Sequence, residues 1–487
     1  MRTFTSALVG AAVATIVVSG SLAIAAIPDS ATKVITVCYK KTTGDMRVID
    51  KAAKGTCNAK TEFELALNQQ GPRGLPGVGL PGPKGDPGVS FDKCRAFPRP
   101  SNDLVGCDLN GANYERQNLT GADLGSANLS GANLAGANLT RTNLIGAVLT
   151  GTNVTGANFT GVDLSGRNFA SFDLSNTNFT SAVLRGADLS NATLVGANFT
   201  GVDLSGRDLS NSELSRVNFT NAILTGANLT TTYLVGANFT GVDLSGQDFT
   251  GTDLTMANFT NAILTGANLT DTTLVGANFT GVDLSGRDFT GFDLSGANFA
   301  KANLTNANLT DTNAQNVSFA GATLTGTNLN VRYRALMQAD FTGVDLSGRD
   351  FTNFEFWGSD FTNANLSGAH FINAGLYAVN FSGSILVGTE FTQVTRLISV
   401  NFAGADLSGR DFTGADARGA NFTGATLVGT NFAGSQLLEA NFTNANLFGA
   451  NMTGAELTGS IYHRDVVWSN TTCPDGSNSN TNLRCGF

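Results

Sequence analysis

Phenylalanine recurs every twenty residues through most of this chain. The series keeps that spacing from Phe159 to Phe319, resumes two residues late at Phe341, and shifts by one further residue at Phe402. A leucine stands five residues after each of these phenylalanines. Apolar residues at a period of five, grouped in fours, predict a solenoid in which four short extended segments make one coil.

The segments from 102 onward share one short motif. Gly-Ala-Asn-Leu-Thr, Gly-Ala-Asn-Phe-Thr and Gly-Val-Asp-Leu-Ser dominate, with centres at Leu104, Leu109, Tyr114 and onward. This pattern resembles the pentapeptide-repeat family, whose signature is A-(N/D)-(L/F)-x-x, and in particular a secreted bacterial type with a short collagen-like tract. The resemblance implies an all-β fold, a right-handed quadrilateral parallel β-helix. In it the central Leu or Phe and the small residue two positions earlier point inward.

The length of the solenoid follows from its centres. Counting from Leu104 to Tyr462 gives 72 pentapeptides, hence 18 coils. Neighbouring strands lie about 4.8 Å apart, which predicts a β-helix at 104–462 that is roughly 86 Å long. A single coil cannot bury its apolar side, so the fold depends on stacking.

The N-terminal segment 1–25 is predicted to be a signal peptide. Arg2 precedes an apolar stretch at 7–18, and Ala23-Ile24-Ala25 matches a cleavage site. The alternative is an uncleaved anchor, since the apolar run nearly spans a bilayer. After cleavage no segment is expected in a membrane.

Two further segments precede the repeats. Residues 26–70 are predicted to form a small β module, with strands at 34–38, 46–49 and 63–67 and a Cys38–Cys57 disulfide as a staple. Residues 71–90 carry glycine at nearly every third position, which indicates either an extended spacer or a trimerising collagen-like stem. Self-association through residues 26–90 therefore stays open.

The six cysteines fall into three sequence-local pairs. Besides the pair in the β module, one pair belongs to a predicted N-terminal cap at 91–103, and the other to a predicted C-terminal cap at 463–487. These pairs are Cys94 with Cys107 and Cys473 with Cys485. None has the C-x-x-C spacing of a zinc site. Three disulfides predict an oxidising compartment and a secreted or cell-surface protein, without metal or cofactor.

Charge and histidine content argue against catalysis. Residues 26–101 carry twelve Lys/Arg against seven Asp/Glu, a net of +5, whereas residues 102–487 carry sixteen against thirty-one, a net of −15. His370 and His463 are far apart in the repeat, and the many aspartates recur at one outward position. We therefore expect surface ladders and no enzyme activity.

A long polar residue recurs every forty residues at a position that the family resemblance places inward. It is Arg167, Arg207, Gln247 and Arg287, and then, after the two slips in register, Arg349 and Arg410. A buried guanidinium is costly, so it either escapes outward or pairs with carboxylates such as Asp208 and Asp288. The row is either a tolerated product of two-coil duplication or a basic stripe for an anionic glycan or polymer.

Two insertions interrupt the repeat. Two extra residues lie within 330–335 and one within 392–396, and both fall between the third and fourth rows of the coil. They predict two bulges at one corner, carrying Arg332, Tyr333, Arg334 and Arg396. Exposed Arg and Tyr are frequent interface anchors, so this corner is the candidate binding patch. The alternative is that small insertions at solenoid corners are simply tolerated.

These features predict an exported, non-catalytic structural or binding rod that presents its faces to an unknown extracellular or surface partner. One alternative is an acidic DNA mimic that protects a topoisomerase, as some cytoplasmic family members do. The export signal and disulfides disfavour that function, and with it a nucleic-acid-related partner. Another alternative is adsorption to ice or another surface through an outward threonine row, which includes Thr160, Thr180 and Thr200.

Overall fold

The computed structural model describes residues 13–18, 21–26, 34–40, 46–49, 62–68, 93–95, 98–460, 466–482 and 485. The chain divides into two compact units, Met1–Phe91 and Asp92–Phe487. The Gly-x-y tract at 71–90, Cys57 and Tyr462 lie outside the described residues. The Cys38–Cys57 disulfide, the spacer and the last predicted centre therefore stay predictions.

The first unit begins with an antiparallel pair, β1 (Val13–Val18) and β2 (Ser21–Ala26). These strands cover part of the predicted signal peptide, whose cleavage stays a prediction.

A three-stranded antiparallel sheet follows in the same unit. β3 (Val34–Lys40) lies between β4 (Met46–Ile49) and β5 (Glu62–Asn68). Val37 pairs with Val48 on one side and with Leu65 on the other. The strands lie where β-branched and alternating apolar residues predict them, with β3 and β5 slightly longer than expected.

In the second unit, each pentapeptide places two residues inward. Leu124 and Ala122 are fully buried, whereas Asp123 between them faces outward. The outward residue pairs in parallel with the residue twenty positions later, as Asp123 does with Asn143. A turn follows each centre: the Ala127 N–H donates to the Leu124 carbonyl (3.0 Å). The residue two positions after each centre, which is the third of the four turn residues, adopts a left-handed conformation. This conformation explains why glycine and asparagine are frequent at that position.

The centres form four rows, numbered here from the coil that contains Phe159. The first row passes through Phe159, the second through Leu164, the third through Phe169 and the fourth through Leu174. All four side chains are fully buried. The core is thus one continuous column of aromatic and aliphatic side chains.

The phenylalanines of the first row stack on each other. From Phe159 to Phe442, successive ring centroids lie 4.9 to 5.7 Å apart, with the rings close to parallel. A second stack occupies the third row from Phe351 to Phe432, with spacings of 5.3 to 5.7 Å. Its rings meet the first stack mostly edge to face, a favourable aromatic geometry.

Polar side chains line the outer surface of the first row. The Asn238 Nδ2 donates to Asn218 Oδ1 (3.1 Å) and to Thr220 Oγ1 (3.0 Å) in the coil before it. The Thr240 hydroxyl donates to Asn238 Oδ1 (2.6 Å). The same arrangement recurs in neighbouring coils, so asparagine and threonine form one hydrogen-bonded ladder. We call the first row, with its phenylalanines inside and this ladder outside, the spine.

Disulfides lie at both ends of the coil stack. Cys94 is bonded to Cys107, which fills a small inward position of the first coil. Cys473 is bonded to Cys485 and is likewise buried. Two of the three predicted disulfides are therefore present among the described residues.

The β-helix extends beyond Tyr462, the predicted last centre. Val467 pairs with Asn446 and Thr472 pairs with Asn451, at a spacing of twenty-one residues. A third one-residue shift therefore precedes these bridges. The predicted cap at 463–487 consequently includes residues that continue the stack. The short helix α1 (Ser479–Asn482) follows.

Among the described residues, no helix has the length and apolar character needed to cross a bilayer.

Truncating one ring of the spine tests the stacked core. Phe239→Ala removes a fully buried side chain between Phe219 and Phe259, whose rings lie 5.5 and 5.3 Å away. Because the coil spacing is fixed by backbone hydrogen bonds, the neighbours cannot close the gap. We expect a loss of about 3–5 kcal/mol in the free energy of local unfolding, measured by denaturant titration. A loss below about 1 kcal/mol would contradict a stacked interior column.

Candidate recognition face

The first insertion forms a short loop that is anchored inside and exposed at its tip. Val331 turns into the core, where it is buried, and its N–H donates to the Leu329 carbonyl (2.7 Å). Residues Arg332–Arg334 then form a 3-10 turn with Tyr333 in a left-handed conformation (φ 56°). The Tyr333 side chain is 88% exposed, the highest value among the exposed large apolar residues.

Both arginines of this loop have partners. The Arg332 Nε donates to Asp311 Oδ1 (3.2 Å). The Arg334 Nη1 donates to the Thr352 carbonyl (2.9 Å), and its guanidinium carbon lies 5.6 Å from the centroid of the Phe354 ring. This distance permits a cation–π interaction. The loop is therefore held to the coils on both sides of it.

The second insertion is smaller. Gln393 takes the left-handed position (φ 62°) and Val394 the small inward position, as in an ordinary pentapeptide. Thr395 and Arg396 are both exposed before the chain returns to the core at Leu397. The extra residue thus sits in the outward segment and pushes the arginine toward solvent.

Both insertions lie at the corner before the fourth row. Ala335 pairs with Glu355 and Glu355 with Gly375 on the outer side of that row, and Arg396 pairs with Asp416 in the coils after them. The Arg396 Nη2 donates to Glu355 Oε1 (3.4 Å), an ion pair that passes over the intervening Gly375. The side chains of the two insertions are therefore linked along one edge of the rod.

The fourth row also presents two aromatic side chains that were not among the predicted site residues. Trp357 is 56% exposed and Tyr377 is 43% exposed, and their ring centroids lie 5.6 Å apart at 83°. Each follows a buried centre, Phe356 or Leu376, at an outward position. The signal was present in the sequence: aromatic residues twenty positions apart at a site where most coils carry a small residue.

We call this surface the recognition face. It consists of Arg332, Tyr333, Arg334, Glu355, Trp357, Tyr377, Arg396, Asp416 and Arg418.

Three of the four arginines of the recognition face form ion pairs with carboxylates. Arg418 binds Asp416 through two hydrogen bonds of 2.7 Å, which also lower the pKa of the Asp416 carboxyl. Arg396 binds Glu355, and Arg332 binds Asp311, as described above. Each pair offers a donor and an acceptor group at the surface without a strong net field. Exposed ion pairs of this kind contribute little to stability, so their arrangement suits recognition better than folding.

Other candidate chemistry is absent from this face. In the part of the chain that the structure describes, no group of three or more His, Cys, Asp or Glu side chains is placed to hold a metal ion. His370 contacts Glu390 (2.8 Å) on the third row, and His463 lies outside the described residues.

The arginine row of Arg167, Arg207 and Arg287 lies elsewhere, at the corner between the second and third rows. The two alternatives predicted for it were outward escape and pairing with carboxylates. The structure shows neither for Arg167 and Arg287, since both are partly buried and donate to backbone carbonyls. The guanidinium donates to carbonyls that would otherwise accept from backbone N–H groups. The motif alone does not reveal this third arrangement.

Comparison with known families decides the assignment. The model described as "Pentapeptide repeats (8 copies)" matches residues 103–134, 127–166, 212–251, 232–266, 252–291, 293–330, 339–376, 374–409, 395–432 and 427–461. A second model, "Pentapeptide repeat region", matches residues 152–229. The chain belongs to the pentapeptide-repeat family. Its solenoid is therefore the right-handed quadrilateral β-helix that the repeat predicts.

Solved pentapeptide-repeat structures are similar to this chain. HetL, a protein involved in heterocyst differentiation regulation from Nostoc sp. strain PCC 7120, shares 21% identity, with 66% of this chain and 91% of HetL covered and a TM-score of 0.16. QnrB1, a plasmid-mediated fluoroquinolone resistance protein, shares 18% identity over 47% of this chain and 90% of QnrB1, with a TM-score of 0.18. Rfr23 from Cyanothece 51142 shares 27% identity over 27% of this chain and 90% of Rfr23, with a TM-score of 0.14. No curated protein sequence matches the chain.

Gly375 is the position that lets the Glu355–Arg396 pair form. A Cβ at Gly375 would lie 1.9 Å from Glu355 Oε2, so Gly375→Ala must displace the carboxylate. Because the displaced atoms belong to a flexible, exposed side chain, we expect the free energy of unfolding to change by less than about 1 kcal/mol. Denaturant titration checks the stability, and a crystal structure of the variant checks that the ion pair is broken. A retained pair, or a larger loss, would contradict this geometry.

Proposed function

We propose that this protein is an exported, non-catalytic binding rod, and that its recognition face binds an uncharged polysaccharide. The observation that carries the proposal is the exposed pair Trp357 and Tyr377, flanked by the paired Arg396 and Arg418. Trp, Tyr and Arg are the residue types that most often dominate binding energy at interfaces.

The chemistry of the face favours sugars over a charged polymer. Aromatic rings pack against the apolar C–H faces of pyranose rings, and they bring large contact areas at low entropic cost. Sugar hydroxyls both donate and accept, and the Arg–carboxylate pairs supply both functions side by side. An anionic polymer would have to compete with Glu355 and Asp416 for the arginines, which weakens the case for it.

The shape of the face favours a polymer over a small molecule. The two insertions stand three coils apart along the rod, a distance of roughly 14 Å at the usual strand spacing. Trp357 and Tyr377 lie on the two coils between them, and both are exposed. A chain of several sugar residues is long enough to contact both insertions.

Export is supported by two kinds of observation. The N-terminal sequence has the pattern of a signal peptide, and the two end disulfides have the oxidised state expected outside the cytosol. A location outside the cytoplasm also brings the rod to polysaccharides of cell surfaces.

Adsorption through the threonine row is less well supported. The hydroxyls of Thr200, Thr220 and Thr240 each donate to an asparagine of their own coil. They also accept from the asparagine of the next coil. Each of these hydroxyls therefore already donates one hydrogen bond and accepts one within the ladder. Little hydrogen-bonding capacity is left for contacts with a surface lattice.

Co-sedimentation with defined polysaccharides tests the proposal. The purified protein is incubated with insoluble cellulose, chitin and starch, and with an anionic polysaccharide in the soluble phase as competitor. We expect retention by at least one neutral polysaccharide that is insensitive to salt and to the competitor. Replacing Trp357 and Tyr377 by alanine should weaken retention by about tenfold or more.

The chain offers a matched control. Tyr233 is an exposed aromatic residue (61%) on the same row but outside the recognition face, so Tyr233→Ala should leave retention unchanged. A second variant replaces Arg332, Tyr333, Arg334 and Arg396 by alanine and should also reduce retention. Failure of every neutral polysaccharide to retain the protein, or equal losses in the Tyr233 control, would overturn the proposal.

A further inference from the structure

One inward position of the β-helix is unusual in six of its coils. The small inward residue of the third row, at the corner between the second and third rows, is alanine or threonine in most coils. Six coils carry a long polar residue there instead: Arg167, Arg207, Gln247, Arg287, Arg349 and Arg410. All six are partly buried. We call these residues the wedge row.

Most of these side chains bind the backbone of the preceding coil. The Arg167 Nη1 donates to the Ala147 carbonyl and its Nη2 to the Leu144 carbonyl, both at 2.5 Å. Arg287 binds the carbonyls of Ala267 and Leu264 in the same way. Burial lowers the pKa of the Arg287 guanidinium.

The other members vary this contact. Arg349 donates to the carbonyls of Thr327 and Leu324. Gln247 donates to the Leu224 carbonyl (3.0 Å) and Arg410 to the Leu386 carbonyl (2.9 Å). Arg207 is the exception, since its Nε binds the Ser205 carbonyl of its own coil (3.2 Å).

The side chain takes the place of a backbone donor. In an ordinary coil the N–H after the small residue donates to the coil before it, as Val148 N does to the Ala127 carbonyl (2.9 Å). At the wedge the equivalent carbonyl, that of Ala147, binds Arg167. One side-chain donor therefore separates two strands that would otherwise pair directly.

Backbone pairing stops at every wedge on two rows. Asp243 pairs with Ile263 and Asp283 with Asn303 on the second row, yet among the described residues no bridge joins Ile263 to Asp283, across Arg287. The breaks of the second row fall between the following residues: Asn143 and Asp163, Val183 and Asp203, Ile223 and Asp243, Ile263 and Asp283, Thr323 and Asp345, Ile385 and Asp406. The third row breaks in the same six pairs of coils. Within the described part of these two rows, each break coincides with a member of the wedge row.

The spine does not break. Parallel bridges follow the first row from Asn118 to Asn441 without interruption, past all six wedges and both insertions. The stacked phenylalanines accompany these bridges from Phe159 to Phe442, and asparagine stands on the outer side of the first row in most of these coils. Adjacent coils at a wedge thus stay joined on the first row while the second and third rows are open. The fourth row is also paired across Arg207, Arg349 and Arg410, whereas among the described residues it has no bridge across Arg167, Gln247 and Arg287.

We propose that the wedge row divides the β-helix into blocks of a few coils and that the rod flexes at these joints. The blocks are joined through the spine at every joint, and through the fourth row as well at Arg207, Arg349 and Arg410. Within a block, backbone bonds close the second and third rows, so the block is stiff. At a joint those rows are held apart by a side chain, so small changes of angle break no backbone bond there. The joints are spaced by two coils from Arg167 to Arg287 and by three coils from Arg287 to Arg410.

The length of the side chain, and not its charge, makes the joint. Gln247 carries no charge, yet it binds the Leu224 carbonyl and its coil pair shows the same breaks as the arginine pairs. The observation on Gln247 therefore favours the role of a spacer over that of a basic stripe for an anionic ligand.

Hydrogen exchange on the native full-length protein measures the joints directly. In the wild type, the amides of Leu264, Leu269 and Asp288 at the Arg287 joint should exchange faster than those of Leu284, Phe289 and Asn308 one coil later, which donate to backbone carbonyls of a neighbouring coil. In Arg287→Ala the position matches Ala267 and Ala307, so the two rows can close. The joint amides should then slow by about five- to tenfold, as one added backbone hydrogen bond implies.

Arg287→Gln is the matched variant, because Gln247 is the natural precedent. It removes the charge and keeps a spacer, so exchange at the joint should stay as fast as in the wild type. The proposal is overturned if the wild-type joint amides are as protected as those one coil later. It is also overturned if Arg287→Ala leaves them unchanged, or if Arg287→Gln slows them as much as alanine does.

Discussion

The parallel hydrogen bonds of the first row hold this solenoid in register from one end to the other. They fix the distance between coils, and the phenylalanine rings inside are spaced to match, at 4.9 to 5.7 Å. Outside, asparagine and threonine extend the same bonding to the side chains. Because this row alone is unbroken among the described coils, the other three rows are free to vary. Insertions, wedges and exposed aromatics all occur on those rows.

The recognition face uses this freedom at the fourth row. An insertion in the first row would interrupt the spine, whereas insertions before the fourth row displace only a corner. The loop at Tyr333 and the arginine at Arg396 project there, with Trp357 and Tyr377 between them. Elsewhere on the rod, asparagine, aspartate and threonine bind one another or the next turn. The proposed function therefore falls on the surface whose side chains are least needed by the fold.

Much of this architecture is predictable from the sequence, because the same pattern of buried and exposed positions recurs in every repeat. The period of twenty predicts four rows, and the shifts at Phe341 and Phe402 locate both insertions. The exposed aromatics were missed, since Trp357 and Tyr377 occupy an outward position and leave the period of the buried centres unchanged. The role of the arginine row was also missed. A family motif says that the position is inward, but the three-dimensional structure is needed to show that a carbonyl of the preceding coil accepts the guanidinium.

The end of the β-helix was misjudged for a related reason. The third shift falls after the last phenylalanine of the spine, so the strict pattern ends before the coils do. Val467 and Thr472 continue the pairing without a recognisable pentapeptide motif. The sequence pattern arises from the side chains that fill the core. The backbone pairing that forms a coil does not require those side chains, so it can continue where the pattern has ended.

The most direct test of this account is to pull the β-helix apart from its C-terminal end in an optical trap and measure the length released in each step. If the coils are grouped between wedges, the chain from Arg410 back to Arg167 should be released in units of about sixty and then forty residues. A forty-residue unit corresponds to roughly 140 Å of extended chain. Release in uniform steps of one coil, or in one event for the whole stack, would contradict a rod made of blocks joined along a single continuous row.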